Sequence, residues 1–284
     1  MPSRPYRLLL PVRPAAPVVV ASPHSGRTYD SAFLARTILD SDGIRSSEDA
    51  YVDLLLENVP ALGLPLLAAE MPRAYIDLNR SSVELDPAVV CDVPRGAANP
   101  RVTSGLGVIP RVVGQGRAIY EGKITRAEAQ ERIEMVWQPY HSALDGLLTQ
   151  AQERFGRAIL LDCHSMPHEA IEGGALRSRP EIVLGDRFGS SADPALVDGV
   201  EAIFAGLGLR VARNAPFAGA YTTQRYGKPD LGRHAIQIEI DRSLYLDEAK
   251  VAPNANFEAM RELMTEAMAR IRDLSALPER LAAE

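Results

Sequence analysis

Two histidines each close a short apolar run, Val18-Val19-Val20-Ala21-Ser22-Pro23-His24 and Ala158-Ile159-Leu160-Leu161-Asp162-Cys163-His164. Short, partly β-branched apolar runs read as buried strands. Ligands of open α/β sheets bind beyond the carboxyl ends of the strands, so two imidazoles delivered to that edge can meet at one metal ion. A third run, Ile236-Gln237-Ile238-Glu239-Ile240, carries a carboxylate inside a strand-like pattern. Two histidines, an acidic ligand and a separate glutamate are the parts of a metal-assisted hydrolase.

The acidic ligand is open at this level. Arg27 stands where a His-x-x-Glu pair would need its glutamate, so the acid comes from elsewhere. Glu48 and Asp49 open a helical pattern that could fold back to the same edge, although acids also favour a helix's first turn for its dipole alone. Adjacent residues point in different directions, so one of the two at most binds well. Glu239 is flanked by apolar residues. It is either a salt-bridge partner of a nearby arginine or a buried carboxyl whose raised pKa suits a general base.

Arg73, Arg80, Arg225 and Arg233 fall in loops or at strand ends. Guanidinium forks bind carboxylates in bidentate fashion, and a hydrolase for an acidic amino-acid derivative needs such clamps. Asp77-Leu78-Asn79-Arg80 ends one run and would aim Asn79 and Arg80 into one crevice. His141, His168 and His234 are weaker candidates, the first packing beside Trp137 on a helix. No GxGxxG or GKS/GKT motif is present, and Ser165 lacks the Gly-x-Ser-x-Gly frame.

The elements that must position these groups alternate. Strands are expected at Pro17–Ser22, Leu64–Ala68, Ala74–Leu78, Ala158–Cys163, Glu181–Leu184, Leu207–Arg213 and Ala235–Ile240, with an edge strand or arm in the first dozen residues. Helices are expected from Ser46–Ser47 to a stop at Gly63, along the stripe Ile133, Val136, Trp137, Tyr140, Leu144, Leu147 and Ala151 to a stop at Gly156, over Pro194–Ala205 and over Phe257–Ile271. Residues 84–118 read as a long irregular excursion with a short hairpin, and 214–233 as a loop. The alternation predicts an α/β fold, a mixed, mostly parallel central sheet with helices on both faces. Nothing divides the chain, so residues 1–284 are expected to form a single domain.

Composition bounds the function. An apolar share of 46% supplies a substantial core, and a net charge of -6 argues against nucleic acid or an anionic membrane as partner. Cys91 and Cys163 form no CxxC pair, which excludes a cysteine-based framework. The apolar run after Arg7 is ended by Pro11 and Arg13, too early for a leader or a span, so a cytoplasmic protein is expected.

Pro23-His24-Ser25-Gly26, Asp49, the stretch from Pro72 to Arg80, Asp162-Cys163-His164-Ser165, Gly185-Asp186 and Gln237-Ile238-Glu239 occur in order between about residues 17 and 250. Together they resemble the N-formylglutamate amidohydrolases, whose fold is similar to that of the zinc carboxypeptidases and aspartoacylases. The resemblance implies one Zn²⁺ per chain held by His24, His164 and Asp49, the last in preference to Glu48. Fe²⁺, Co²⁺ or Mn²⁺ could occupy the same donors. It further implies that Glu239 activates water, that Arg73 polarises the scissile carbonyl, and that Asn79 and Arg80 hold a substrate carboxylate. Arg225 and Arg233 fit a substrate-clamping loop. The implied substrate is a small anionic N-acyl amino acid, N-formyl-L-glutamate in histidine breakdown, cleaved by a monomer or a homo-oligomer. The alternatives are another N-acyl amino acid or a small peptide, or a non-catalytic metal-binding relative. An intact Glu239 argues against the last.

Overall fold

The computed structural model describes residues 4–94, 99–172 and 179–276. Seven strands form one sheet in the order β1-β3-β2-β4-β7-β5-β6: β1 (Tyr6–Leu9), β2 (Val18–Ser22), β3 (Leu66–Ala69), β4 (Ala158–Met166), β5 (Ile182–Gly185), β6 (Val211–Arg213) and β7 (Arg233–Asp241). The pairs β2–β3, β2–β4, β4–β7 and β5–β6 are parallel, whereas β1–β3 and β5–β7 are antiparallel. The sheet is therefore mixed and mostly parallel, as the alternation of elements predicts.

Side chains alternate across each strand, and both faces are covered. Val19, Ala21, Leu67, Leu160 and Ala235 pack with Trp137, Tyr140, Leu144 and Leu148 on one side. Val18, Val20, Leu66, Ile159, Leu161, Ile236 and Ile238 pack with Val197, Val200, Phe204, Met264 and Met268 on the other. The first layer comes from the helix Gln138–Phe155, continuous with Arg126–Arg132 through a π-helical stretch Ile133–Trp137. The second comes from the helices Pro194–Gly206 and Phe257–Ala276. Gly156 ends the long helix in the left-handed region, φ 79°. No helix among the described residues is long and apolar enough to cross a membrane.

Four expectations need correction. Ala74–Leu78 is not a strand: Tyr75 and Ile76 donate their N–H groups back to Pro72, and Asp77 donates to Val108. Its apolar side chains are buried against the helical layer rather than within a ladder. The helix expected from Ser46 to Gly63 is broken into Val52–Leu55 and a 3₁₀ turn Val59–Leu62, because Tyr51 adopts φ 63°. The loop 214–233 contains the helix Tyr221–Tyr226. The strand expected over Leu207–Arg213 is confined to Val211–Arg213. Among its described residues the 84–118 excursion holds the short helix Pro100–Thr103 and one antiparallel bridge, Val112 to Ala118, around the turn Gly114–Gly116.

Gly26 shows how tightly the loop after β2 is seated. A Cβ there would lie 2.1 Å from the Met71 carbonyl oxygen and 2.8 Å from the Glu70 carbonyl carbon, both backbone atoms that cannot swing aside. Gly26→Ala is expected to cost about 1–3 kcal/mol through this overlap. An unchanged urea midpoint at unchanged m-value would show that the two segments are not in contact as described.

Candidate active site

The carboxyl ends of the central strands bring the chemistry-bearing groups together. His24 lies two residues beyond β2. His164 and Glu239 are direct partners in the β4–β7 register, as are Asp162 and Gln237. In a parallel pair such partners share a face, so all four side chains project to the side of the sheet that carries residues 72–80. Asp49 arrives from the segment before Val52, where its N–H donates to the His24 carbonyl at 3.0 Å.

His24, Asp49 and His164 are each at most 3% exposed and offer ligand atoms within 4.8 Å of one another. Asp49 Oδ2 stands 2.9 Å from His164 Nδ1 and 3.4 Å from His24 Nδ1. The outer nitrogens face carboxylates: His24 Nε2 lies 2.8 Å from Asp77 Oδ1, and His164 Nε2 lies 3.1 Å from Asp162 Oδ2. The Asp77 carboxylate behind His24 places the proton of that ring on Nε2 and leaves its Nδ1 lone pair free to bind a metal. His24 Nδ1 is buried without a hydrogen-bond partner, which is the condition of a ligand atom awaiting a cation. Two imidazole nitrogens and one carboxylate oxygen suit zinc, whose bonds of about 2.0–2.2 Å place tetrahedral donors roughly 3.3 Å apart. Asp49 is the acid of the adjacent pair that reaches this point. Glu48 turns away, accepting from Arg45 Nε and from the Tyr29 hydroxyl.

The local field calls for positive charge. Burial would raise the Asp49 carboxyl, but the neighbouring His164 and His24 imidazoles hold it well below its ordinary range. Burial would likewise raise Asp77, and Arg73, His24 and Arg80 hold it low. Burial would lower the His164 imidazole, yet Asp162 and Asp49 raise it well above its ordinary value. Glu239 is different. Burial pushes its carboxyl up to about 7, with His164 opposing and Asp49 adding to the rise. Such a group can take and return a proton near neutral pH.

A cavity of about 520 Å³ opens over these residues. Arg73 lines it, with Nε bonded to Asp77 Oδ2 at 3.0 Å. Arg80 is 6% exposed and bonds the carbonyls of Leu106 and Asn79. Residues 101–116 of the excursion supply the facing wall.

Asn79 lies at the site, but its amide is engaged within the protein. Oδ1 accepts from both the N–H and the hydroxyl of Thr222 at 2.8 Å, while Nδ2 reaches Gln237 Oε1 at 3.4 Å. Arg225 and Arg233 do not join the cavity. Arg225 is exposed on the helix Tyr221–Tyr226 and bonds the Tyr221 hydroxyl. Arg233 opens β7 at the end of the strand opposite Glu239, where it bonds Gln152, Thr149 and Asp145. His168 bonds Asp241, and His234 Nδ1 accepts from the N–H of Asp193 at the start of a helix.

Sequence reasoning missed four residues. Asp162 sits two positions before His164 on the same strand face, a spacing that could have marked it. Asp77 stands in the run that ends at Arg80, where its residue type alone does not show that it backs His24. Gln237 Nε2 donates to Glu239 Oε1 at 2.7 Å. Arg242, just past β7, donates to Asp49 Oδ1 at 3.0 Å and to Ser165 Oγ at 3.1 Å.

His141 is more than helix packing. Its Nε2 donates to the Leu78 carbonyl at 2.9 Å, and Nδ1 lies 2.9 Å from the Tyr226 hydroxyl. Trp137 Nε1 donates to the Arg80 carbonyl at 2.9 Å. Two successive helical turns thus fix the backbone on either side of Asn79. Burial pushes the His141 imidazole down to about 3 from 6.5. The unfolded chain therefore binds a proton in the window between those values that the folded chain refuses, and stability falls as pH drops through it. The expected contribution is roughly 1 kcal/mol per pH unit below 6.5, absent in His141→Gln. Parallel plots of unfolding free energy against pH for the two proteins between pH 6.5 and 4.5 would contradict the neutral assignment.

Comparisons with known proteins agree with the geometry. A family model described as N-formylglutamate amidohydrolase matches residues 16–246. The chain is 32% identical over 263 residues to an N-formylglutamate deformylase of Pseudomonas aeruginosa, covering 89% of this chain and 92% of that one. It is 30% identical over 241 residues to an N-formylglutamate deformylase of Pseudomonas putida, covering 82% and 83%. The crystal structure of an N-formylglutamate amidohydrolase from Ralstonia eutropha JMP134 superposes with a TM-score of 0.89 at 38% identity, over 95% of this chain and 98% of that one. A protein of Agrobacterium tumefaciens shares the fold, with a TM-score of 0.64 at 18% identity.

Proposed function

The chain belongs to the N-formylglutamate amidohydrolase family, and from that premise we propose that it hydrolyses the N-formyl amide of N-formyl-L-glutamate to formate and L-glutamate. The observation that carries this reading is the convergence of His24, Asp49 and His164 on one point, with Glu239 paired to His164 in the sheet register. A relative that only bound a ligand would have no use for a buried carboxyl with an affinity for protons near neutrality.

His24, Asp49 and His164 would hold one divalent ion, zinc by the donor set, which when bound supplies Lewis acidity to the water and to the scissile carbonyl. Glu239 accepts the proton that the attacking water loses and returns it to the departing nitrogen, so one carboxyl serves as base and then as acid. Arg73 donates to the carbonyl oxygen as that atom gains negative charge. Gln237 holds the Glu239 carboxylate by its amide N–H, and Arg242 and Asp77 fix Asp49 and His24. Arg80 binds a carboxylate of the substrate with the N–H groups that its two carbonyl partners leave free.

Purified protein is expected to release formate and glutamate from N-formyl-L-glutamate, to lose that activity to a chelator and to regain it with zinc. Turnover that survives exhaustive chelation would remove the metal from the reading. A folded, zinc-loaded sample without turnover would shift the substrate to another N-acyl amino acid.

Glu239→Gln keeps the shape of the side chain and removes its proton affinity. A fall in kcat of about 10²–10⁴-fold is expected, with metal content per chain unchanged. Retained turnover would assign the proton transfer to another group.

A further inference from the structure

Four arginines line the cavity: Arg73, Arg80, Arg101 and Arg242. Two of them are answered by acids: Arg73 by Asp77 and Arg242 by Asp49. Arg80 and Arg101 have no carboxylate within ion-pair distance among the described residues. Arg80 bonds only backbone carbonyls, and the Arg101 guanidinium makes no hydrogen bond there. Burial depresses the Arg80 guanidinium, and the nearby Arg73 and Arg101 charges add to this while Asp77 and Glu84 oppose it. One flank of the cavity therefore carries two arginines that no carboxylate among the described residues pairs with.

The two differ in depth. Arg80 is buried and follows Asn79, whose amide nitrogen lies 3.3 Å from His164 Nε2. Arg101 is exposed, on the short helix Pro100–Thr103, and borders both the cavity and the outer cleft that contains Glu84, Tyr221 and Arg225. Leu106, Pro110 and Val112 line the cavity from the same wall and offer an apolar surface to methylene groups.

We propose that Arg101 is a specificity-determining residue that binds the side-chain carboxylate of the substrate, while Arg80 takes the carboxylate adjoining the scissile amide. This rests on the N-formyl-L-glutamate hydrolase reading above and assigns to Arg101 the side-chain carboxylate of that substrate. Two such arginines match a substrate that carries two carboxylates. The difference in depth matches their different distances from the scissile bond. A neutral side chain of equal length would leave Arg101 in solvent at little cost. It would forfeit only the charged contact and would keep the Arg80 contact intact.

The test compares kcat/KM on N-formyl-L-glutamate and on N-formyl-L-glutamine, which differ only at the distal group, in the wild type, Arg101→Gln and Arg101→Lys. Arg101 is exposed, so neither substitution removes core packing. Arg101→Gln is expected to lose about tenfold or more on N-formyl-L-glutamate, mainly through KM, and less than about threefold on N-formyl-L-glutamine. Arg101→Lys should recover part of the difference. Equal losses on both substrates, or no loss on either, would overturn the assignment. A wild type that cleaves both equally well would overturn it while leaving the hydrolase reading intact. A wild type that cleaves neither would remove both.

Discussion

Four carboxylates, Asp49, Asp77, Asp162 and Glu239, are buried around two imidazoles, and none is more than 7% exposed. Each buried ion costs several kcal/mol unless it is answered at close range. Arg73 answers Asp77, and Arg242 answers Asp49. Among the described residues Asp162 lies within ion-pair distance only of His164 Nε2. Asp77 fixes the His24 ring by its outer nitrogen, and the inner nitrogens of both rings turn toward Asp49. Orientation of the ligand set is thus a consequence of charge compensation, and the surrounding chain is shaped to deliver these side chains to one place.

The sheet does part of that work. Parallel neighbours β2, β4 and β7 direct their carboxyl ends the same way, which brings residues distant in sequence to one edge. Residues 72–80 do the rest, and they could not do so as a strand. A strand would alternate faces, whereas Arg73, Asp77, Asn79 and Arg80 must all reach one cavity. Turns achieve this, at the expense of backbone groups that no ladder satisfies. Asp77 N–H finds Val108, while His141 and Trp137 take the carbonyls of Leu78 and Arg80. The excursion and the long helix therefore hold the site rigid by supplying hydrogen bonds that regular structure would otherwise provide.

This explains what could be read from the sequence. His24, His164 and Glu239 were legible because strand ends and strand periodicity are local properties. The run Ala74–Leu78 misled because an apolar pentapeptide looks the same whether it is buried by a ladder or by a helix packed across it. Arg233 misled because sequence proximity to Glu239 says nothing about which end of the strand a residue occupies. Six residues of extended chain span roughly 20 Å. The choice between Glu48 and Asp49 was not legible at all by residue type. It is decided by Arg45 and Tyr29, which hold Glu48 elsewhere. The pairing of His164 with Glu239 depends on strand order, which no local pattern encodes.

Asn79 carries a consequence for how binding and proton transfer are divided. The resemblance implied that it holds a substrate carboxylate, yet its amide oxygen accepts two hydrogen bonds from Thr222. Its amide nitrogen continues a chain through Gln237 to the Glu239 carboxylate. Rotating the amide toward a ligand would strand the buried Thr222 N–H, at a cost of about 1–3 kcal/mol, and would release the amide that holds Glu239. An anion gains more from a guanidinium with free N–H groups than from an amide already committed on both sides. The amides Asn79 and Gln237 therefore set the position of the base, and recognition of substrate charge falls to the arginines. A substitution in one set should leave the task of the other largely intact, since the two share no hydrogen bond other than the one from Arg80 to the Asn79 backbone carbonyl.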